Sequence, residues 1–135
     1  MTEKETTRGR VLVVDDDEAA RESLQAVLEL ECEVLTAANT TEADEALQRA
    51  QVDVVVTDHD MPGRTGLEWL GAMRRSHPAV MVILLTGHPD IADFKNAERS
   101  QEVVRVMRKP YDPKRLVQLV RNTVKLSRTG RALAK

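Results

Sequence analysis

The sequence predicts an α/β protein: one doubly wound, five-stranded parallel sheet with five helices. Three observations predict it. Short apolar, β-branched runs alternate with longer segments of helical periodicity along the 135 residues. Runs such as 54–56 and 80–85 are continuously apolar, which suits strands covered on both faces. Several of these runs end abruptly in a polar or charged residue, and sheets of this kind bind ligands just beyond the carboxyl ends of their strands.

The elements follow in order. "RVLVV" (10–14) is the first strand. Segment 17–31 sets Ala20, Leu24, Val27 and Leu28 on one helical face, with Asp17 placed to cap it. "CEVLTA" (32–37) is the second strand, and 39–50 opens on Asn and Thr as a capped helix. "VDVVVT" (52–57) is the third strand. Segment 65–76 carries Leu67, Leu70 and Met73 at helical spacing. "AVMVILLT" (79–86) is the most apolar strand. Residues 90–99 form a weaker helix anchored by Ile91 and Phe94. "EVVRVM" (102–107) is the last strand. Segment 112–127 is an amphipathic helix that buries Leu116, Leu119, Val120, Thr123 and Val124, with Pro113 tolerated in its first turn. Residues 10–127 are thus expected to form one domain, with 1–9 as a tail and 128–135 as a tail or the start of a linker.

Composition narrows the class. Hydrophobic residues are 41% and charged residues 31%, as in soluble globular chains. The longest apolar run, 79–85, is too short to span a bilayer, and the polar N-terminus has no apolar signal region. The single cysteine, Cys32, allows no internal disulfide, so a cytoplasmic location is expected. The net charge of −2 hides an asymmetry: residues 100–135 hold ten Lys/Arg and two acids. Aromatic residues are only 2% of the chain and offer no stacking platform, so direct nucleic-acid binding is not expected. The basic segment reads as a charged helix face.

The polar residues at the strand ends carry the chemistry. Asp15 and Asp16 follow the first strand, Asp58 and Asp60 the third, Thr86 the fourth and Lys109 the fifth. The predicted fold brings all of them to one rim. Three carboxylates within ~5 Å repel by about 3 kcal/mol per pair at an effective dielectric of 20. A hard divalent cation such as Mg²⁺ removes that conflict. Beside it, Lys109 and the Thr86 hydroxyl suit the oxygens of a phosphoryl group, and Asp58 is the candidate nucleophile that would form an aspartyl-phosphate. Singly, each residue has a plainer reading, as a turn, a cap or a surface charge. Their joint occurrence, each after its own strand, favours the site.

The elements "VLVVDDD", "VVVTDHDMPGRTGLEWL", "VILLTGH" and "RKPYDP" resemble the receiver domain of bacterial two-component response regulators, a chemotaxis-regulator-like, flavodoxin-like (β/α)5 module. The resemblance runs from about residue 10 to 127. It implies that Asp58 accepts a phosphoryl group from a sensor histidine kinase or phosphotransfer protein, with Mg²⁺. It implies Asp16 as a direct metal ligand, Asp15 as a ligand through water, and Asp60 as the position that offers a backbone carbonyl. It also implies Thr86 as the switch hydroxyl, Lys109 as the phosphoryl contact, and a cis Lys109–Pro110 bond. Such a module catalyses only its own phosphorylation and dephosphorylation and is not a turnover enzyme. Its usual contact surface for a homodimer or an effector is the fourth helix, fifth strand and fifth helix.

One departure stands out. Receivers commonly place Tyr, Phe or His three residues before the lysine, as a ring that turns inward on activation. Here the residue is Val106, stiff at χ1 and without a ring. Coupling to output is therefore expected to be weak, with any remainder carried by the loop after Thr86. Tyr111 reads as packing, His88 as a loop histidine near the rim, and His59 and His77 as surface residues. Two other functions compete. One is a phosphate-independent, receiver-like interaction module. The other is a haloacid-dehalogenase-type phosphatase, disfavoured because its strand-end acidic pair would follow the lysine rather than precede Asp58.

Overall fold

The computed structural model describes residues 8–89, 92–99 and 105–134. Its strands are β1 (Arg10–Val14), β2 (Glu33–Ala37), β3 (Val54–Asp58), β4 (Met81–Thr86) and β5 (Arg105–Arg108). Its helices are α1 (Glu18–Leu28), α2 (Thr40–Arg49), α3 (Gly66–Ser76), α4 (Ala92–Arg99) and α5 (Pro113–Ala134). The expected strand residues 102–104 and the helix anchor Ile91 lie outside the described residues, as do residues 1–7 of the N-terminal segment.

All strand pairs are parallel, in the order β2-β1-β3-β4-β5. The five-stranded, doubly wound sheet expected from the sequence is the one observed. The pleat divides the core in two. Val11, Val13, Val54, Val56, Ile83 and Leu85 meet α1 and α5 through Leu24, Leu28, Leu116 and Val120. Leu12, Val14, Val55, Val82 and Leu84 point to the other face, against Ala43, Leu47, Trp69, Leu70, Met73 and Phe94. Both faces are buried, which explains why the strands read as unbroken apolar runs. Trp69 is fully enclosed, and its indole N–H donates to Asp44 at 2.8 Å.

Helix starts follow their side-chain caps. Asp17 accepts from the Ala19 N–H, Asn39 from that of Glu42, and Thr65 forms a reciprocal capping box with Glu68. Helix α5 differs from expectation by running past Ser127 to Ala134. Its continuation is tied to the base of the sheet: Arg128 donates to the Arg8 carbonyl, and its Nε lies 3.5 Å from the buried Asp53 carboxylate, which also accepts the Arg10 N–H. That clasp joins residues 75 positions apart and has no local sequence signal. Among the described residues, no helix is long and apolar enough to cross a membrane.

Two glycines shape the loop after β3. Gly63 has φ +81°, a left-handed conformation that costs glycine little. Gly66, at the start of α3, lets the helix abut the end of β3: a Cβ there would lie 2.9 Å from the Asp58 carbonyl oxygen and 3.1 Å from the His59 Cα. Gly66→Ala is therefore expected to destabilise the protein by about 1–3 kcal/mol through overpacking. Gly71→Ala, on the same helix with nothing within 4 Å of its Cβ, should stabilise by about 0.5–1 kcal/mol. Urea denaturation of both variants checks this; equal and small effects would contradict the close approach.

Candidate functional site

Strand order reverses between β1 and β3, and open α/β sheets bind ligands outside the strand ends at such a point. Asp15 and Asp16 follow β1, Asp58 is the last residue of β3 rather than the first beyond it, Thr86 ends β4, and Lys109 follows β5. Parallel register brings these ends together: Asp58 stands opposite Leu85, and the Lys109 N–H donates to the Thr86 carbonyl at 2.8 Å. One carboxylate oxygen each from Asp15, Asp16 and Asp58 lies within 4.8 Å of the other two. Asp15 and Asp58 are buried, while Asp16 is exposed.

Fixed donors hold these charges. Asp15 accepts the Asp17 N–H at 2.9 Å, and the Asp15 carbonyl accepts from Arg21 at 2.7 Å. Asp58 Oδ1 accepts the Asp60 N–H at 3.0 Å and forms an ion pair with Lys109 Nζ. Among the described residues, Oδ2 of Asp58 receives no hydrogen bond. The Lys109–Pro110 bond is cis, and Tyr111 beyond it is half-buried close enough to Asp15 to feel its charge. Burial, and secondarily that charge, push the Tyr111 phenol above its ordinary range.

The side chain of Asp60 does more than the sequence suggested. Its carboxylate lies 3.4 Å from Thr86 Oγ1, accepts the Gly87 N–H at 3.3 Å, and sits 3.8 Å from Lys109 Nζ. It thus occupies the Thr86 and Gly87 donors and lies near the Lys109 ammonium, beside Asp58. The residue spacing alone could place Asp60 near the rim but not aim it, because its direction depends on the loop that Gly63 and Gly66 shape. His88 donates its backbone N–H to Thr86 Oγ1 at 3.1 Å. His59 is a correction: it is half-buried rather than on the surface, with Nδ1 accepting the Leu67 N–H at 3.3 Å. His77 is also half-buried, at the end of α3.

The basic segment divides into two faces. Arg121 pairs with Glu31 and lines a groove against α1 with Val27, Leu30 and Val117. Arg105, Arg108 and Arg115 instead border a separate cleft of about 450 Å³ between β5 and α5, with Val106 and Leu119.

The fold, a parallel α/β sheet with an acidic rim at its switch point, is that of a receiver module, and comparison with known proteins agrees. The family model for the response regulator receiver domain matches residues 11–121. The hydrogenase transcriptional regulatory protein HoxA of Cupriavidus necator is 34% identical over 92% of this chain. The DNA-binding transcriptional regulator NtrC of Escherichia coli is 36% identical over 87% of it. The chain spans 25% of the length of each. Among solved structures, a receiver domain of an HD domain-containing protein from Pseudomonas fluorescens is 28% identical, covers 93% of both chains and has a TM-score of 0.83. The beryllofluoride-activated NtrC4 receiver domain dimer, 28% identical, covers 87% of this chain and 98% of its own, with a TM-score of 0.79. This chain belongs to the response regulator receiver domain family. The family's standard role is that of phosphoacceptor in two-component signalling, a module and not a turnover enzyme, which sets aside the phosphatase reading.

The acidic cluster has a consequence for stability. Asp15 titrates above its ordinary value of 3.8, chiefly through burial; Asp58 and Asp16 act in the same direction, and the Asp17 N–H and Lys109 oppose them. The folded protein therefore holds this proton more tightly than the unfolded chain, so stability falls as pH rises from 3.8 through the folded-state value. Asp15→Asn removes that loss while keeping an acceptor for the Asp17 N–H. In EDTA, the variant should melt above the unaltered protein at pH 7, with the gap closing as pH falls below 3.8. A gap that widened toward low pH would contradict the raised titration of the buried Asp15.

Proposed function

We propose that Asp58 of this chain receives a phosphoryl group from the phosphohistidine of a sensor kinase or phosphotransfer protein. The observation that carries the reading is the meeting of Asp15, Asp16 and Asp58 within 4.8 Å, with Lys109 paired to Asp58. The three carboxylates are hard oxygen donors and fit Mg²⁺, which Asp16 and Asp58 would hold directly, Asp15 through water and Asp60 by its backbone carbonyl. When bound, the ion would neutralise the carboxylates and draw charge from the phosphoryl oxygens.

The chain's own groups do the rest. A carboxylate oxygen of Asp58 attacks phosphorus in line with the leaving imidazole nitrogen. The new O–P bond forms as the N–P bond breaks, and the imidazole takes up a proton from water. Lys109 Nζ holds an equatorial phosphoryl oxygen, and Thr86 Oγ1 and the Gly87 N–H bind another once they exchange the Asp60 carboxylate for it. Asp60 keeps these donors satisfied until then. Hydrolysis by water returns Asp58. The exchange takes place in the cytoplasm, where the kinase's donor domain works. Output leaves through α4, β5 and α5, where the Arg105, Arg108 and Arg115 cleft favours an acidic effector surface or a second copy. Arg121, turned toward α1, lies outside that surface.

Incubation with acetyl phosphate and Mg²⁺ should add one phosphoryl group that hydroxylamine removes. Asp58→Asn should take up none, and Lys109→Ala should label about 10²-fold more slowly. Equal labelling of the Asn variant, read by intact-mass spectrometry, would overturn the assignment.

A further inference from the structure

Val106 carries no ring to swing, yet α4 is held to the site by two contacts of another kind. His59, between Asp58 and Asp60, meets Phe94 of α4 edge to face, with ring centroids 4.6 Å apart and planes at 89°. Phe94 is 1% exposed and, with Ala97, anchors α4 in the core. One turn further along α4, the exposed Glu98 accepts the backbone N–H of Val106 at 3.1 Å. β5 is an edge strand, so this carboxylate caps a donor at the border of the sheet. Val106 itself packs into the core face that holds Phe94. Helix α4 is thus fastened at Phe94 to the neighbour of Asp58, and at Glu98 to the strand that leads three residues later into Lys109.

We propose that His59 and Phe94 form the relay from the phosphoacceptor loop to α4, with Glu98 passing the shift to β5, in place of a ring at position 106. This rests on the phosphoacceptor reading. Displacing the Asp60 carboxylate from Thr86, Gly87 and Lys109 moves the loop in which His59 lies. Its ring is held on one side by the Leu67 N–H and on the other by Phe94, so it moves only if Phe94 shifts with it. Close-packed contacts of this kind change between discrete arrangements and do not deform smoothly, which supplies the two-state element that coupling requires. His59 and Phe94 act here as positioning residues and touch no phosphoryl group. Simple core packing would make the same static contacts, so the test must read the response to a bound phosphoryl mimic.

Amide exchange of residues 92–99 and 105–108, followed by mass spectrometry on the full chain with Mg²⁺ and beryllofluoride, provides that readout. In the unaltered protein the mimic should change exchange in 92–99 by about tenfold, within the range of allosteric coupling. In Phe94→Leu and His59→Ala that response should fall below about twofold while the mimic still binds. Glu98→Ala opens no cavity and should fold. It should keep the response of α4 and lose that of β5. An undiminished response in Phe94→Leu or His59→Ala would overturn the relay, and so would an undiminished β5 response in Glu98→Ala. So would an unaltered protein that binds beryllofluoride without any change in 92–99. Failure of the unaltered protein to bind the mimic would overturn the phosphoacceptor reading and the relay with it.

Discussion

The constraint on which this molecule depends is the crowding of Asp15, Asp16 and Asp58, with carboxylate oxygens within 4.8 Å of one another and two of the three side chains buried. Like charges at that distance cost about 3 kcal/mol per pair at an effective dielectric of 20. A chain selected for stability alone would not gather them. The surroundings offset the repulsion without removing it: Lys109 pairs with Asp58, the N–H groups of Asp17 and Asp60 donate to the carboxylates, and the parallel sheet fixes all the bearing backbone. Asp15 titrates above its ordinary value chiefly because it is buried, and the charges of Asp58 and Asp16 add to the shift. Carboxylates so placed are hard oxygen donors of the kind a divalent cation prefers.

The sheet serves this rim. Two apolar layers, one against α1 and α5 and one against α2, α3 and α4, leave no freedom for a strand to slip, because a one-residue shift would reverse every side chain. The site groups inherit that rigidity from Val14, Thr57, Leu85 and Arg108. The contacts around Asp60 are of another kind: its carboxylate reaches Thr86 and Gly87 through hydrogen bonds of 3.3–3.4 Å, and His59 beside it meets Phe94 of α4 through a ring contact. Rigid carboxylates on one side and exchangeable contacts on the other suit a device that must bind in one place and move in another.

Much of this was legible in the sequence, for physical reasons. Runs such as "VLVVDDD" and "VILLTGH" announce a strand and its end in the same few residues, and the fold alone then gathers the ends. Asp17 was readable as a cap because capping is a local bond. The parts that were not legible depend on contacts between distant residues. His59 looked like a surface residue because nothing nearby in sequence hints at Phe94, 35 positions on. Arg121 belongs to the basic segment, yet nothing near it in sequence hints at Glu31, 90 positions away, whose pairing sets it against α1. The Asp60 carboxylate could be put at the rim but not aimed, since loop curvature decides its direction. Helix α5 outran its expected end at Ser127 because Arg128 finds Asp53 and the Arg8 carbonyl.

An acidic cluster that takes up Mg²⁺ would stabilise the fold only when filled, and the thermal midpoint as a function of Mg²⁺ reads this. A ligand that binds only the folded protein adds RT ln(1 + [L]/Kd), so above saturation each tenfold increase in Mg²⁺ should add about 1.4 kcal/mol. Asp16→Ala should melt at least as high as the unaltered protein in EDTA and lose this dependence. A midpoint that ignored Mg²⁺, or a dependence that survived Asp16→Ala unchanged, would show that the cluster is not an ion site.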